Sequence, residues 1–152
     1  MTKTEKLSHY SVVLIAVLAV VVSIWQVRIS QEHNKLSVRP YMDFFYGWNN
    51  DRYLELQLSN QGVGPAIITS VEYFYNDEKF SSWDEVLRKA DLIDRRKNSY
   101  TYSGNSPFAS GKEVSFLVLD IKETETQLIA PLRIIIHYES IYEEDFELVI
   151  DL

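Results

Sequence analysis

The 152-residue chain contains no cysteine, which excludes a disulfide framework, thiol catalysis and thiolate metal sites in one step. Histidine is nearly as scarce. There are three, His9, His33 and His137, so a histidine metal cluster or a nucleophile with a histidine base has little to draw on. Cations are few where the chain is longest: residues 1–39 hold five Lys/Arg against two acids, whereas residues 40–152 hold ten against twenty. An acidic domain repels phosphate backbones, which disfavours general DNA or RNA binding. There is no internal repeat, no low-complexity segment and no Gly-x-x-x-x-Gly-Lys-Ser/Thr phosphate loop. The length suits one ordinary domain and not two.

One long hydrophobic run is present. Val12 to Val22 is unbroken, and Tyr10 to Ile29 has only Ser11, Ser23, Gln26 and Arg28 as polar positions. Twenty helical residues at about 1.5 Å each reach roughly 30 Å, the hydrocarbon thickness of a bilayer. Tyr10 and Trp25 sit near the two ends, where amphipathic rings favour the headgroup level. The run is succeeded by Ser23-Ile24-Trp25-Gln26 without a small-x-small cleavage site, so it reads as an uncleaved anchor in the lipid bilayer and not as a signal peptide. The short basic N-tail with Lys3 and Lys6 favours export of the C-terminal domain, while Arg28, Lys35 and Arg39 favour its retention. The balance leans to a cytoplasmic C-terminal domain. Ala16, Ala19 and Ser23 fall on one helix face, a small-residue stripe that would let two spans pack closely in a homo-oligomer or against another membrane protein.

The segment after the span has no breaker until Arg39, which precedes Pro40 and is pushed out of the α region. This divides the chain into a tail 1–9, a transmembrane helix 10–29, a helical stalk 30–39 and a domain 40–152. His33 reads as a solvated stalk residue.

Beyond Pro40 the apolar period changes to two. Leu54, Leu56 and Leu58 alternate with polar residues, as in a strand with one buried and one wet face. Segments 41–48, 66–75, 113–121, 132–139 and 145–152 are rich in β-branched and aromatic residues, giving six strands, with Ser99 to Ser103 as a seventh. Ser82 and Glu85 form a capping box ahead of Trp83, Val86, Leu87 and Ala90 at helical spacing, which predicts one short helix packed on a sheet edge. The fold class is therefore mainly β: an N-terminal transmembrane helix plus an immunoglobulin-like antiparallel β-sandwich with one inserted helix, lacking the Cys-Trp-Cys signature of true immunoglobulin domains.

Two stretches carry a resemblance. His33-Asn-Lys-Leu-Ser-Val-Arg-Pro40-Tyr41 after the span, then Leu56-x-Leu58-x-Asn60-x-Gly62-x-Gly64-Pro65-Ala66-x-Ile68, resemble a group of small bacterial single-pass membrane proteins. The resemblance implies topology and a bacterial source, but no activity; with the anchor read above, the expected location is the bacterial inner membrane. Read physically, Asn60 to Pro65 is an inter-strand turn in which Gly62 and Gly64 supply positive φ and Pro65 sets the entry to the next strand.

Chemistry is sparse. His137 lies in the strand Ile134-Ile-Ile-His, with Ile134 and Ile136 on the opposite face, and reads as an ordinary half-exposed strand histidine. Glu143-Glu144-Asp145 reads as a solvated hairpin turn with too few ligands for calcium. No catalytic residue, metal site or cofactor is expected. Two binding features remain. Arg88, Lys89, Arg95, Arg96 and Lys97 place half of the domain's ten cations within ten residues, from the helix end into the following loop, a candidate site for a small anionic ligand. The competing reading is complementation of the helix dipole. Tyr41, Phe44, Phe45, Tyr46 and Trp48 crowd one strand, so aromatics occupy both faces and part of the cluster faces out, with Tyr46 and Trp48 as contact candidates. The leading expectation is a membrane-anchored, non-enzymatic interaction module that binds a protein partner or itself. The alternative is a ligand-gated effector sensing a nucleotide second messenger, a plan similar to small membrane effectors of bacterial antiphage defence.

Overall fold

In the computed structural model, residues 3–49 and 52–152 are described. The chain divides into two compact units, Met1–Ser37 and Val38–Leu152.

The first unit is one helix, α1 (Lys3–Ser37). No glycine or proline interrupts it, so nothing breaks the ladder until the chain nears the Arg39–Pro40 restriction. Its stretch His9–Ser37 is long and apolar enough to cross a membrane. Ser23 donates its hydroxyl to the Ala19 carbonyl at 2.8 Å, and Ser37 donates to Asn34 at 2.9 Å. Both hydroxyls are thus satisfied within the helix.

The second unit is an antiparallel two-sheet sandwich. One sheet has the order β1 (Met42–Asn49), β2 (Tyr53–Asn60), β7 (Glu113–Asp120), β5 (Arg96–Ser99). The other runs β4 (Glu78–Phe80), β3 (Ala66–Tyr75), β8 (Leu132–Glu139), β9 (Asp145–Asp151), with β6 (Ser106–Phe108) also paired to β3. The short helix α2 (Trp83–Lys89) carries the chain from the second sheet to the first.

The period-two patterning positions the core as anticipated. Leu54, Leu56 and Leu58 of β2, Leu117 and Leu119 of β7, and Ile134 and Ile136 of β8 are almost fully inaccessible, each contributing about 2 kcal/mol through lost apolar exposure. Trp83 of α2 is the largest buried side chain. Its ring lies 4.7 Å from Tyr73 and 5.2 Å from Phe116, and its indole N–H donates to the Tyr100 carbonyl at 3.2 Å. The inserted helix is therefore tied to both sheets through one aromatic cluster.

Three local expectations are corrected. The strand placed at Ser99–Ser103 is instead β5, Arg96–Ser99. The alternation of Tyr100 and Tyr102 reflects ring packing, since the two rings are 4.9 Å apart and Tyr102 continues onto Phe108. The strands β4 and β6 were not anticipated, being three residues each and too short to display a period. The capping box is half displaced: Ser82 Oγ accepts the Glu85 N–H at 3.4 Å, but the Glu85 carboxylate reaches back to the N–H and hydroxyl of Ser81, not of Ser82.

Candidate functional site

The two stretches that carry the sequence resemblance meet in space. Asn60, at the end of β2, is 1% exposed, and its amide is fully used. Its Oδ1 accepts the Tyr41 N–H at 3.1 Å and the Gly62 N–H at 3.0 Å, and its Nδ2 donates to the carbonyls of Gly64 at 2.9 Å and Phe108 at 3.2 Å. The bond to Gly62, two residues on, is an Asx-turn. The bond to Gly64 closes the same turn, and the other two tie it to the segment entering β1 and to β6.

Gly62 and Gly64 are needed for a different reason than expected. Neither adopts positive φ; among the glycines only Gly111 does. What they provide is the absence of a side chain. A Cβ on Gly64 would lie 1.7 Å from the Val38 carbonyl oxygen, and one on Gly62 would lie 2.2 Å from the Tyr41 nitrogen. The Asn60–Pro65 turn thus grips the backbone of Val38–Tyr41, where the sandwich begins. Arg39 adds a second hold, its guanidinium 4.6 Å from the Phe146 ring centre. Residue order alone conceals this clamp, although an Asn at a strand end with glycines two and four positions later is a signal for a backbone-gripping turn.

The aromatic strand β1 forms one edge of its sheet. Phe44, Tyr46 and Trp48 stand opposite Leu58, Leu56 and Leu54, on the face that looks to the core. Phe44 and Trp48 pack against the core, whereas Tyr46, between them on the same face of this edge strand, is 58% exposed. Phe45 and Gly47, opposite Gln57 and Glu55, lie on the outer face. With Asn49, Glu55 and Gln57 they line a groove of about 300 Å³. The aromatics therefore do occupy both faces, with Tyr41, Phe45 and Tyr46 exposed.

The cationic stretch is placed differently. Arg96 and Lys97 open β5 and do not lie in a loop: Arg96 stands opposite Leu119 of β7, and Lys97 sits at the irregularity before Asn98 rejoins the ladder opposite Val118. Four of the five cations already face a carboxylate. Lys89 pairs with Glu78 at 2.8 Å, Arg95 with Glu125 at 2.8 Å, Lys97 with Asp120 at 3.1 Å, and Arg96 with Asp84. Asp120 also receives Arg52 at 3.2 Å, and the hydrogen bonds from Arg52 and Lys97 hold its carboxyl below the usual carboxylate range. The Lys122 N–H and then Arg95 do the same for Glu125. Arg88 is exposed on the last turn of α2.

His137 lies half-exposed on β8 with Nδ1 3.9 Å from Glu147. Among the described residues, no group of three or more His, Asp or Glu side chains is disposed to hold a metal ion. Glu143 sits at positive φ in a hairpin where Ser140 Oγ accepts the N–H groups of Tyr142 and Glu144, a structural turn. Ala16, Ala19 and Ser23 lie on the exposed surface of α1.

No curated protein matches the sequence. A family model does match, over residues 7–152, which takes in both the apolar helix and the whole sandwich. The chain belongs to that family, the one described as domain of unknown function DUF8453.

Proposed function

We propose that the chain is a single-pass, non-enzymatic binding module of the bacterial inner membrane, held in the bilayer by α1 and recognising a protein partner through the β1 edge. The observation that carries this reading is the character of that edge. Natural sheets blunt their borders with lysines, prolines, bulges or very short strands. β5 has four residues and begins Arg96-Lys97, β4 and β6 have three each with Lys79 and Pro107, and β9 carries Asp145, Glu147 and Asp151. β1 has eight residues, a single charge at Asp43, no proline and an unbroken register with β2. An unguarded aromatic edge of that length suits recognition by strand addition.

The pairing of four cations in the Arg88–Lys97 stretch leaves the anion-sensing alternative without a vacant charged cluster to support it. The cytoplasmic placement of the sandwich rests on Arg28, Lys35 and Arg39 beside the span, and protease digestion of a C-terminal tag in intact spheroplasts would overturn it. The test of the binding role is a photo-reactive phenylalanine analogue at Tyr46, irradiated in native membranes. A discrete adduct on a gel supports the reading, and its absence, with the same analogue at the exposed Tyr142 of the β8–β9 turn as control, refutes it.

A further inference from the structure

The β1 edge is self-complementary, and this commits the occupant. Tyr41 accepts the Gln61 N–H at its carbonyl, 2.8 Å, and Asn49 likewise accepts the Arg52 N–H at 3.3 Å. Strand alternation then directs the backbone of Asp43, Phe45 and Gly47 toward β2, and that of Phe44, Tyr46 and Trp48 toward the open side. The Phe44 N–H agrees, since among the described residues it finds only the neighbouring Asp43 carboxylate, at 2.8 Å.

A second β1 running antiparallel, with Tyr46 on the two-fold axis, brings Phe44 opposite Trp48, Phe45 opposite Gly47 and Asp43 opposite Asn49. Every pairing is favourable. Phe44 and Trp48 form an aromatic cross-strand pair. Phe45 of each copy covers the other's Gly47, where the surface is open, with nothing within 4 Å of a Cβ position; an aromatic ring over an edge glycine is a recognised stabilising pair. The groove of about 300 Å³ beside Gly47 receives that ring. Asp43 meets an uncharged amide, so no like charges face each other. Centring the pair on Phe45 instead would set Phe45 against itself and leave Gly47 opposite Asp43, uncovered. The same operation on β9 would crowd Asp145, Glu147 and Asp151 along one border.

Building on the proposed binding role, we infer that β1 pairs with β1 of a second copy, antiparallel about Tyr46, joining two four-stranded sheets into one eight-stranded sheet. The absence of native cysteine makes the register directly testable in the full-length protein in membranes. Asp43 and Asn49 form a non-hydrogen-bonded cross-strand pair in this arrangement, with Cα atoms about 4.5 Å apart, within disulfide reach. Two differently tagged chains, Asp43→Cys and Asn49→Cys, are co-expressed and oxidised. The expected result is a mixed disulfide carrying both tags, at least tenfold over either variant alone, because like positions lie six residues apart, about 20 Å.

Gly47→Lys, which meets open space and folds, abolishes the cross-link. Absence of the mixed disulfide, or equal cross-linking by the single variants, overturns the self-pairing. A Tyr46 photo-adduct of a mass other than twice the chain overturns it too, while leaving the binding edge intact. No adduct at all refutes both.

Discussion

The Gly64 contact makes the sharpest claim about how the sandwich is held together at its beginning. Replacing Gly64 by Ala adds one methyl group, and that carbon would sit 1.7 Å from the Val38 oxygen, 2.6 Å from its carbonyl carbon and 3.2 Å from its Cα. All three are backbone atoms, so no side chain can swing away. The Val38 segment and the turn must separate by more than an ångström. Forced overpacking costs about 1–3 kcal/mol. The displacement also stretches the bond from Asn60 to the Gly64 carbonyl, worth about 1 kcal/mol net.

The sum is about 2–4 kcal/mol. For a folded unit of this size, at roughly 4 °C per kcal/mol, Tm falls by about 8–16 °C. Gly47→Ala is the matched control: the same methyl meets nothing within 4 Å, and Tm is expected to stay within about 2 °C, since an alanine in open space adds no steric cost. Near-ultraviolet circular dichroism of the full chain in detergent, which reads the packed rings around Trp83 and not the helical backbone of α1, follows the transition. A Gly64→Ala drop smaller than about 3 °C, under 1 kcal/mol on the same scale, would refute the clamp, as would an equal drop for Gly47→Ala.

Three further outcomes are expected. Asn60→Asp keeps the two accepted bonds but turns a carboxylate oxygen toward the carbonyls of Gly64 and Phe108, so it destabilises by about 3 kcal/mol or more at neutral pH, and denaturant titration finds part of the loss recovered in acid as the side chain is protonated. The carboxyls of Asp120 and Glu125 titrate below their unfolded values, so the stability they supply is complete above the ordinary carboxylate pKa values and is lost as pH falls through their lowered ones. Tm should be flat near neutrality and fall below about pH 4, and Asp120→Asn should make that acid limb shallower. Burial lifts the Tyr73 phenol above its ordinary range, and its hydroxyl has no protein partner among the described residues. Tyr73→Phe therefore leaves Tm unchanged or raises it, and a loss above about 1 kcal/mol, the net worth of a hydrogen bond, would show that the hydroxyl is bonded.

Much of the architecture is legible along the chain because local periodicity reports burial. The run Tyr10–Ile29 and the absence of breakers before Pro40 specify one continuous apolar helix. The alternation Leu54-x-Leu56-x-Leu58 and the Ile134/Ile136 pair specify strands with one buried face, and Ser82, Trp83, Val86 and Leu87 mark the single inserted helix. These are properties of neighbours two to four residues apart, and a solvent-averse face imposes them on any fold that buries it.

What depends on residues far apart is not written in any such period. Asn60, Gly62 and Gly64 look like turn formers; that they close on Val38–Tyr41 and Phe108 comes from how β1, β2 and β6 are brought together. Arg95 to Lys97 look like a free cationic loop, and become a paired edge because Asp84, Asp120 and Glu125 arrive from three other segments. Tyr46 and Trp48 are equally aromatic and share one face of β1, and only their tertiary neighbours leave Tyr46 exposed and pack Trp48 against the core. Sheet order and contact between distant backbones set these outcomes. Both are settled by the packing of the whole sandwich, in which each strand's neighbours come from elsewhere in the chain.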